Sequence, residues 1–515
     1  MIVTVRFFWR EGVQRMPDNE NSVMESHTDS ETERKKAFVY GRKNLFGRKV
    51  IKTSEHRITE ANVVKVVEQA YITHLQNADD IKYLWDYYRG NQPSLYRTRE
   101  LRDELTKHIV ENRALQIVSF ATGYQLSKPV QYVSSTGGSD EETDTVSNSV
   151  GELNRAMRRI GKKTKDKELV ESCMIGGVGY RYVVQNKNKR KKTKFDLFTL
   201  DSQNTFVIRA NDYSQRVLAG VNYVTDDEGN ITFTVYTDDN VFTFRKDTRT
   251  VKTEKNAFGL IPIIEYPANT ARLGRFEPVL TMLDAINDFD CARNEAVEQF
   301  VQSLLVLYNC QVEEGTTADT IRAAGMILLK SLGDNKADVK NLSEQLDQTQ
   351  NQTLKDDMWN TVLQIVGMPS QGDGSTGDSS NNGAVVLKNG WQGAETRARE
   401  FDDMFALPEM EMLEVVSVLC DGIGGKDSFR FDPADVEVKF PRNNYDNLLS
   451  KSQTLVTMLA SDKIHPKCAY EACGLFADTE EAYQLAMKWY EQIKAEMAAQ
   501  NPPQPTPKAT VIENE

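Results

Sequence analysis

The stretch Gln371-Gly-Asp-Gly-Ser-Thr-Gly-Asp-Ser-Ser-Asn-Asn-Gly383 holds the residue types that could do chemistry. Gly372 and Gly377 have the spacing of a phosphate-cradling loop, and Ser379 sits where such a loop carries its magnesium-binding hydroxyl. Asp378, however, takes the place of the phosphate-binding lysine, and a carboxylate there repels phosphate. The segment before the loop is patterned as a helix, not as the strand that such a loop requires. These features exclude an ATPase. A calcium loop is excluded too, because Asp373 and Asp378 lack the alternating ligand spacing and the terminal glutamate. Two readings of the residues are left. One is a solvated linker, which composition favours. The other is a magnesium-dependent nucleic-acid-processing enzyme that uses Asp373 and Asp378. Elsewhere the sequence offers no Ser/His/Asp set and no paired metal carboxylates beside histidines, so no catalytic residue, metal site or cofactor is expected. His74 has no second His or Cys nearby and reads as a packing or surface residue.

The loop hangs between two helical patterns. The first runs from Ser343 to Val366, with Leu342, Leu346, Leu354, Met358, Val362, Ile365 and Val366 on one face, Ser343 as N-cap, and Gly367 and Pro369 as its stop. The second starts near Ala384 and places Leu387, Trp391, Ala394, Ala398, Phe401 and Phe405 on an apolar stripe. Bends are expected at Gly390/Gly393 and at Pro408. Between them the loop has no large apolar side chain, cannot offset its ordering entropy, and is expected to be mobile.

The chain has 515 residues, enough for about three domains at ~150 residues each. Its net charge of −12 argues against tight sequence-independent DNA binding, which needs clustered Lys and Arg, but not against a channel along which DNA slides. The six cysteines, at 173, 291, 310, 420, 468 and 473, are scattered without metal-ligand pairs and read as reduced structural thiols. No apolar run approaches the ~18 residues of a membrane span. Residues 1–40 read as disordered, Met16 is a second possible start, and no signal peptide is evident.

Along the chain, a helix is expected over Thr59–Gln76, with Val63, Val64, Val67, Ala70, Tyr71 and His74 at helical spacing. An aromatic helix from Ile81 ends at Gly90 and packs Trp85 and Tyr88 into a core. The next helix follows Glu111 and closes at Gly123, and Pro129 opens the strand Val130–Val133. Residues 134–148 read as a loop. A helix then leads through Gly176-Gly-Val-Gly-Tyr180 into the strand Tyr180–Val184. Lys187, Lys189, Arg190, Lys191, Lys192 and Lys194 form a basic hairpin tip, either a solvated turn or a contact for phosphate or an acidic partner. Phe195–Phe206 and Val217–Lys252 alternate as an antiparallel meander with turns at Asp226–Asn230 and Asp238–Asn240. Ile261–Tyr266 is extended. The helix Glu277–Leu305 packs through Val279, Leu283, Ile286, Ala296, Phe300 and Leu304, and Asp284, Asp288 and Glu295 share another, acidic face. Strand, helix and strand follow at Leu304–Val312, Thr317–Ala324 and Met326–Ser331. Beyond Cys420 come an extended return over Ser428–Phe440 and helices over Asn443–Ala499, broken at Pro466 and Gly474. A Pro-rich flexible tail ends the chain.

Several of these segments, in this order, resemble the SPP1-like portal proteins of tailed bacteriophages. They are Tyr87-Tyr-Arg-Gly-Asn-Gln92; Asn112 to Pro129, with Ile117-Val118 and Gly123-Tyr124; Ile365-Val-Gly-Met-Pro369; and Gly383-Ala-Val-Val-Leu387 with Trp391-Gln-Gly393. Ser127 stands where the family has glycine, Asn382 where it has serine, and Val386 where it has alanine. The resemblance covers roughly Tyr71 to Ala499. It implies an α+β portal fold assembled as a ring, usually of twelve subunits. Its parts would be a wing (41–275 and 384–442), stem helices (276–303 and 342–368), a small α/β clip (304–341), a tunnel loop (369–383) and a helical crown (443–499), with 500–515 as tail. It implies a channel at one capsid vertex for packaging and ejection of double-stranded DNA. Terminase large subunit, major capsid and scaffolding proteins and a head-tail connector would be its partners, with no membrane. Location would be the virion, and the host cytoplasm during assembly. It also implies that Gly372, Asp373, Gly374, Ser375, Thr376, Gly377, Asp378, Ser379, Ser380, Asn381 and Asn382, with Lys388 as one weak phosphate contact, face DNA. Asp284, Asp288 and Glu295 would then line the channel.

Overall fold

The structure, a computed structural model, describes residues 45–98, 106–135, 140–186, 193–301, 304–308, 310–311, 330–331, 338–342, 348–370, 390–422, 429–442, 448–461, 463–476 and 479–500. The segment 1–40, the basic run 187–192, the helix expected over 317–324, the tunnel loop with Lys388, and the tail beyond 500 lie outside the described residues. In chain order the helices are α1 (Val63–Tyr88), α2 (Arg113–Gln125), α3 (Asp140–Arg159), α4 (Lys162–Gly176), α5 (Leu280–Val301), α6 (Gln348–Val366), α7 (Trp391–Gly422), α8 (Leu448–Leu459), α9 (Pro466–Cys473) and α10 (Thr479–Gln500). The longer strands are named below by their ranges. The chain forms two units. One contains Asn91–Glu111 and Thr281–Asn351; the other contains Leu45–Gly90, Asn112–Leu280 and the chain from Gln352 on.

In the larger unit, five consecutive strands make the expected meander: Thr205–Ala210, Val217–Thr225, Ile231–Tyr236, Asn240–Arg245 and Lys252–Lys255. Lys52–Thr53 adds a parallel strand at its edge. The Asp226–Asn230 turn forms because the Asp226 carboxylate accepts the backbone amides of Glu228 and Asn230. Helix α1 covers one face. Its Val63, Val67, Ala70 and Tyr71 join Phe206, Ile208, Val221, Phe233, Val235 and Phe242 in one buried core. The helix runs unbroken through the two segments expected as separate helices, and Gly90 (φ 94°) ends it as expected. Within its aromatic end, Tyr87 is the fully buried ring; Trp85 and Tyr88 are half-buried, and Tyr88 donates to Glu171.

His74 lies inside this core, stacked on Phe206 at 4.6 Å between ring centroids, with Nε2 2.8 Å from the Gln203 carbonyl. Burial lowers its pKa to about 4, against the Gln203 hydrogen bond and the Asp201 charge, which favour the cation. A folded pKa below the unfolded value of 6.5 means stability that is present above pH 6.5 and lost as pH falls toward 4, about 3 kcal/mol in all. His74→Phe is expected to flatten the stability curve in that window. Urea midpoints measured between pH 4 and 7 check it, and an unchanged slope would contradict it.

A second sheet pairs Val178–Gln185 with Phe195–Leu200 on one side and Ile263–Pro267 on the other, all antiparallel. The strand from Phe195 thus belongs here rather than to the meander. A third pairing joins Gln131–Ser134 to Val436–Lys439. Helix α2 continues through Gly123 to Gln125 instead of closing at the glycine. The expected loop over 134–148 is also corrected: α3 begins at Asp140. Its acidic start suits the positive end of a helix dipole, and Val150, Leu153, Met157 and Ile160 bury a helical stripe that composition alone concealed. Helix α7 runs through Pro408, and Ala394, Ala398, Phe401 and Phe405 are buried as their spacing predicts. On α6 only the C-terminal end of the expected face is buried, at Val362 and Val366; Leu354 and Ile365 are exposed. After α7 the chain makes helices α8, α9 and α10 with breaks at Pro466 and Gly474, as expected.

In the smaller unit, Leu304–Tyr308 pairs antiparallel with Asp338–Leu342, and Cys310–Gln311 with Lys330–Ser331. Leu342 therefore lies in a strand, not on the helix face assigned to it from spacing. No helix among the described residues is long and apolar enough to cross a membrane.

Candidate functional site

The residues that hold the two ends of the organising loop are well defined. Helix α6 ends in a left-handed turn at Gly367 (φ 66°), where Gly367 N donates to the Gln364 carbonyl and Met368 N to that of Leu363. This is a Schellman cap, which satisfies the helix's orphan carbonyls. A Cβ on Gly367 would stand 2.6 Å from Arg397 Cγ and 3.1 Å from the Gly393 carbonyl of α7. Gly390, also left-handed (φ 76°), opens α7, and a Cβ on it would lie 3.8 Å from Pro369 Cα. The chain leaves α6 and enters α7 at one place, and three glycines allow that approach.

Around this clamp, Trp391 lies beside Phe120 and Tyr124, at 6.0 and 5.9 Å between centroids. Tyr124 donates to Glu395 at 2.9 Å, and Gln125 donates to Asp402. Arg442, from the far end of the chain, reaches both carboxylates: Nη2 is 3.0 Å from Glu395 and Nη1 2.5 Å from Asp402. Burial favours the neutral form of both acids. At Glu395 the hydrogen bonds from Arg442, Arg399 and Tyr124 prevail and lower the pKa. At Asp402 burial prevails and pushes the pKa up to about 6.

One turn further along α7, Glu409 anchors a fully buried charge network. It accepts from Tyr132 at 2.6 Å and Tyr266 at 2.9 Å, and pairs with Lys162 at 2.6 Å and Arg181 at 3.2 Å. Asp166 completes the set, 2.7 Å from Lys162 and 2.5 Å from Arg181. Two cations thus face two carboxylates. Burial alone would protonate Glu409, but Lys162 and Arg181 hold its pKa well below the usual carboxylate range. Burial and the Glu409 charge push the Tyr132 and Tyr266 hydroxyls far up, so both remain hydrogen-bond donors. The network ties α7 to α4 and to three strands, and so fixes the helix on which the loop's return is built.

In the smaller unit, α5 carries the acidic face read from the sequence, and one of its three members is placed differently. Asp284 and Asp288 are half-buried, but Glu295 is only 1 % exposed. The reason is an extended segment laid along α5. Glu111 N donates to Asn287 Oδ1, Ile109 N to Cys291 Sγ and Lys107 N to Glu295 Oε1, at 3.0, 3.3 and 3.0 Å. Every second amide of an extended chain, about 6.8 Å apart, meets every fourth residue of a helix, about 6 Å apart. Arg97 lies 3.7 Å from the Glu295 carboxylate and donates to the Asp288 carbonyl. Glu295 is therefore a docking acceptor inside its own subunit, and the solvated stripe expected from spacing is reduced to Asp284 and Asp288.

The sequence reading missed Lys162, Asp166, Arg181, Glu395, Asp402, Glu409 and Arg442. Glu409 left a signal: it falls at helical spacing on the stripe Phe401, Phe405, Met412, Val416, and a lone carboxylate on an apolar stripe must have buried partners. Among the described residues no cluster of His, Cys, Asp or Glu could hold a metal ion.

No curated protein matches the chain. Residues 69–502 match the family described as phage portal protein, SPP1 Gp6-like, a match that takes in the clamp glycines, the Glu409 network, α5 and the helices after α7. That family is structural and its members serve as phage portals, and this chain belongs to it.

Proposed function

We propose that copies of this chain close into a ring of twelve subunits at one capsid vertex, through which double-stranded DNA enters during packaging and leaves during ejection. The family match over residues 69–502 carries this reading. A second observation supports the ring. On α10, Leu485, Trp489, Tyr490 and Met497 are each more than 60 % exposed in the single chain. A row of large apolar side chains on one helix marks a surface that another protein covers. Terminase large subunit, which supplies the ATP hydrolysis, and the head-tail connector dock on the ring, and major capsid and scaffolding proteins surround it.

In this reading Gly372–Asn382 and Lys388 face the DNA, and Asp284 and Asp288 line the channel. Small polar groups and a negative wall let phosphates pass without the cation-driven binding that would stall them. Electron microscopy and native mass of the purified protein test the proposal. The expected result is a ring with a central hole, with Asp284 and Asp288 turned toward that hole. A strictly monomeric protein at high concentration in near-physiological salt would refute the ring, and these two carboxylates turned away from the hole would refute the lining.

A further inference from the structure

A closed cavity of about 10 Å³ lies within the larger unit, beneath the edge of the meander. Arg48, Lys49, Ile51, Asn77, Tyr180 and Arg209 line it, together with Glu265 and Arg272. Two of its lining side chains carry buried donors with no hydrogen-bond partner among the described residues: Arg48 Nε and Arg209 Nε. The rest of each guanidinium is engaged. Arg48 donates to the Gly176 carbonyl at 3.1 Å and to Glu277 at 2.7 Å; Arg209 donates to the Gln215 carbonyl at 3.2 Å and to Glu265 at 2.7 Å. An orphaned charged N–H is costly, so two of them on one cavity need an explanation.

The acceptors around the cavity are already taken. Glu265 receives Arg209 and both Nε and Nη2 of Arg272, the latter at 3.3 and 3.1 Å. The Asn77 amide is spent on the Lys49 backbone, its Oδ1 taking the amide at 2.8 Å and its Nδ2 meeting the carbonyl at 2.9 Å. The Ile51 carbonyl takes the Arg209 amide at 2.9 Å. The cavity thus calls for a particle that accepts two hydrogen bonds and need donate none. A water molecule would bring two hydrogens of its own. The charge points the same way: Arg48, Lys49, Arg209 and Arg272 stand against Glu265, Glu277 and the partly exposed Asp80, the last 3.8 Å from Arg48. Burial also raises the Glu277 pKa in spite of Arg48, which weakens one of those three negative charges.

We propose that this cavity is a binding site for a single small monovalent anion, of the size and charge of chloride, held by Arg48 Nε and Arg209 Nε. The anion joins the first ordered segment of the chain, at Arg48–Ile51, to α1 and to both sheets, and so stabilises the folded chain by mass action.

Two measurements test it on the full-length protein. Crystals grown or soaked with sodium bromide in place of chloride should give an anomalous peak within hydrogen-bonding distance of both Nε atoms. Melting temperature should rise with sodium chloride beyond its rise with sodium glutamate at equal ionic strength, since glutamate is too large to enter. Arg209→Met removes one donor and should abolish that chloride-specific rise while circular dichroism stays that of the parent. Should Arg209→Met not fold, the bromide experiment decides alone. No anomalous peak, with density for an ordered water at the site, would overturn the proposal, as would equal melting curves in the two salts.

Discussion

Replacing Glu409 by alanine is expected to remove about 3–5 kcal/mol of stability, the cost of breaking a buried ion pair from one side. The loss leaves Lys162 and Arg181 sharing Asp166 alone, so a net positive charge is enclosed where none can be solvated. It also strands the Tyr132 and Tyr266 hydroxyls, which donate to the two Glu409 oxygens. Against a total of about 5–15 kcal/mol for a typical domain, such a loss leaves little. Glu409→Gln keeps an acceptor for a tyrosine and should cost less than Glu409→Ala. The pH dependence has a definite sign. The folded pKa of Glu409 lies below its unfolded value of 4.5, so its contribution is complete above pH 4.5 and fades as pH falls below that. The deficit of the alanine variant should therefore shrink in acid. Denaturant titrations of both variants at pH 7 and pH 4 read this out; a deficit under about 1 kcal/mol at pH 7, the size of a surface pair, would show that the network is not what holds α7.

Shortening Gly372–Asn382 is expected to abolish or strongly impair DNA packaging while ring assembly and melting temperature stay nearly unchanged. The two parts of this expectation rest on different grounds. Stability should survive because the ends of the excised stretch are fixed independently, by the Gly367 cap and by the approach of Gly390 to Pro369. Closing a shorter loop between ends already together costs little, since loop entropy changes by only about 0.6 kcal/mol for each doubling of length. Packaging should fail because the stretch is proposed to face DNA. Capsids assembled with the shortened protein, assayed for packaged DNA beside a melting curve of the ring, separate the two. Parental packaging would remove the DNA-facing role, and a fall in melting temperature of more than a few degrees would make the loop structural.

The secondary structure was legible wherever one period dominated. The alternation from Val217 to Lys252 gave the meander, and the stripe from Ala394 to Phe405 gave α7 with its buried face. Legibility failed where composition competed with period. The Asp/Glu/Thr-rich start of α3 looks like a loop because its apolar stripe begins only near Val150, after the polar residues have suggested otherwise. The acidic positions of α5 show a different limit. Asp284, Asp288 and Glu295 share a face by spacing, yet only a partner segment nearly 190 residues away decides that Glu295 is covered by Lys107. The Glu409 network has the same character: its members come from five separated segments, and no local window contains two opposite charges of the set except Lys162 and Asp166. The order of family segments carried what local physics could not, the assignment to phage portals.

The pairing of Gln131–Ser134 with Val436–Lys439 sets a timetable for synthesis. A ribosome adding about 5–20 residues per second needs roughly 15–60 s to travel from the first strand to the second. Throughout that interval Tyr132 lacks Glu409, the strand at Gln131 has no neighbour, and Gln125 lacks Asp402. A short strand waiting unpaired is an adhesive edge. The nascent chain must therefore be kept apart from its siblings until residue 442 has emerged, and a host infected at many copies per cell makes those siblings close together. Slow release, lower temperature or added holding chaperones should accordingly raise the yield of soluble chain more than any change to the surface of the finished fold.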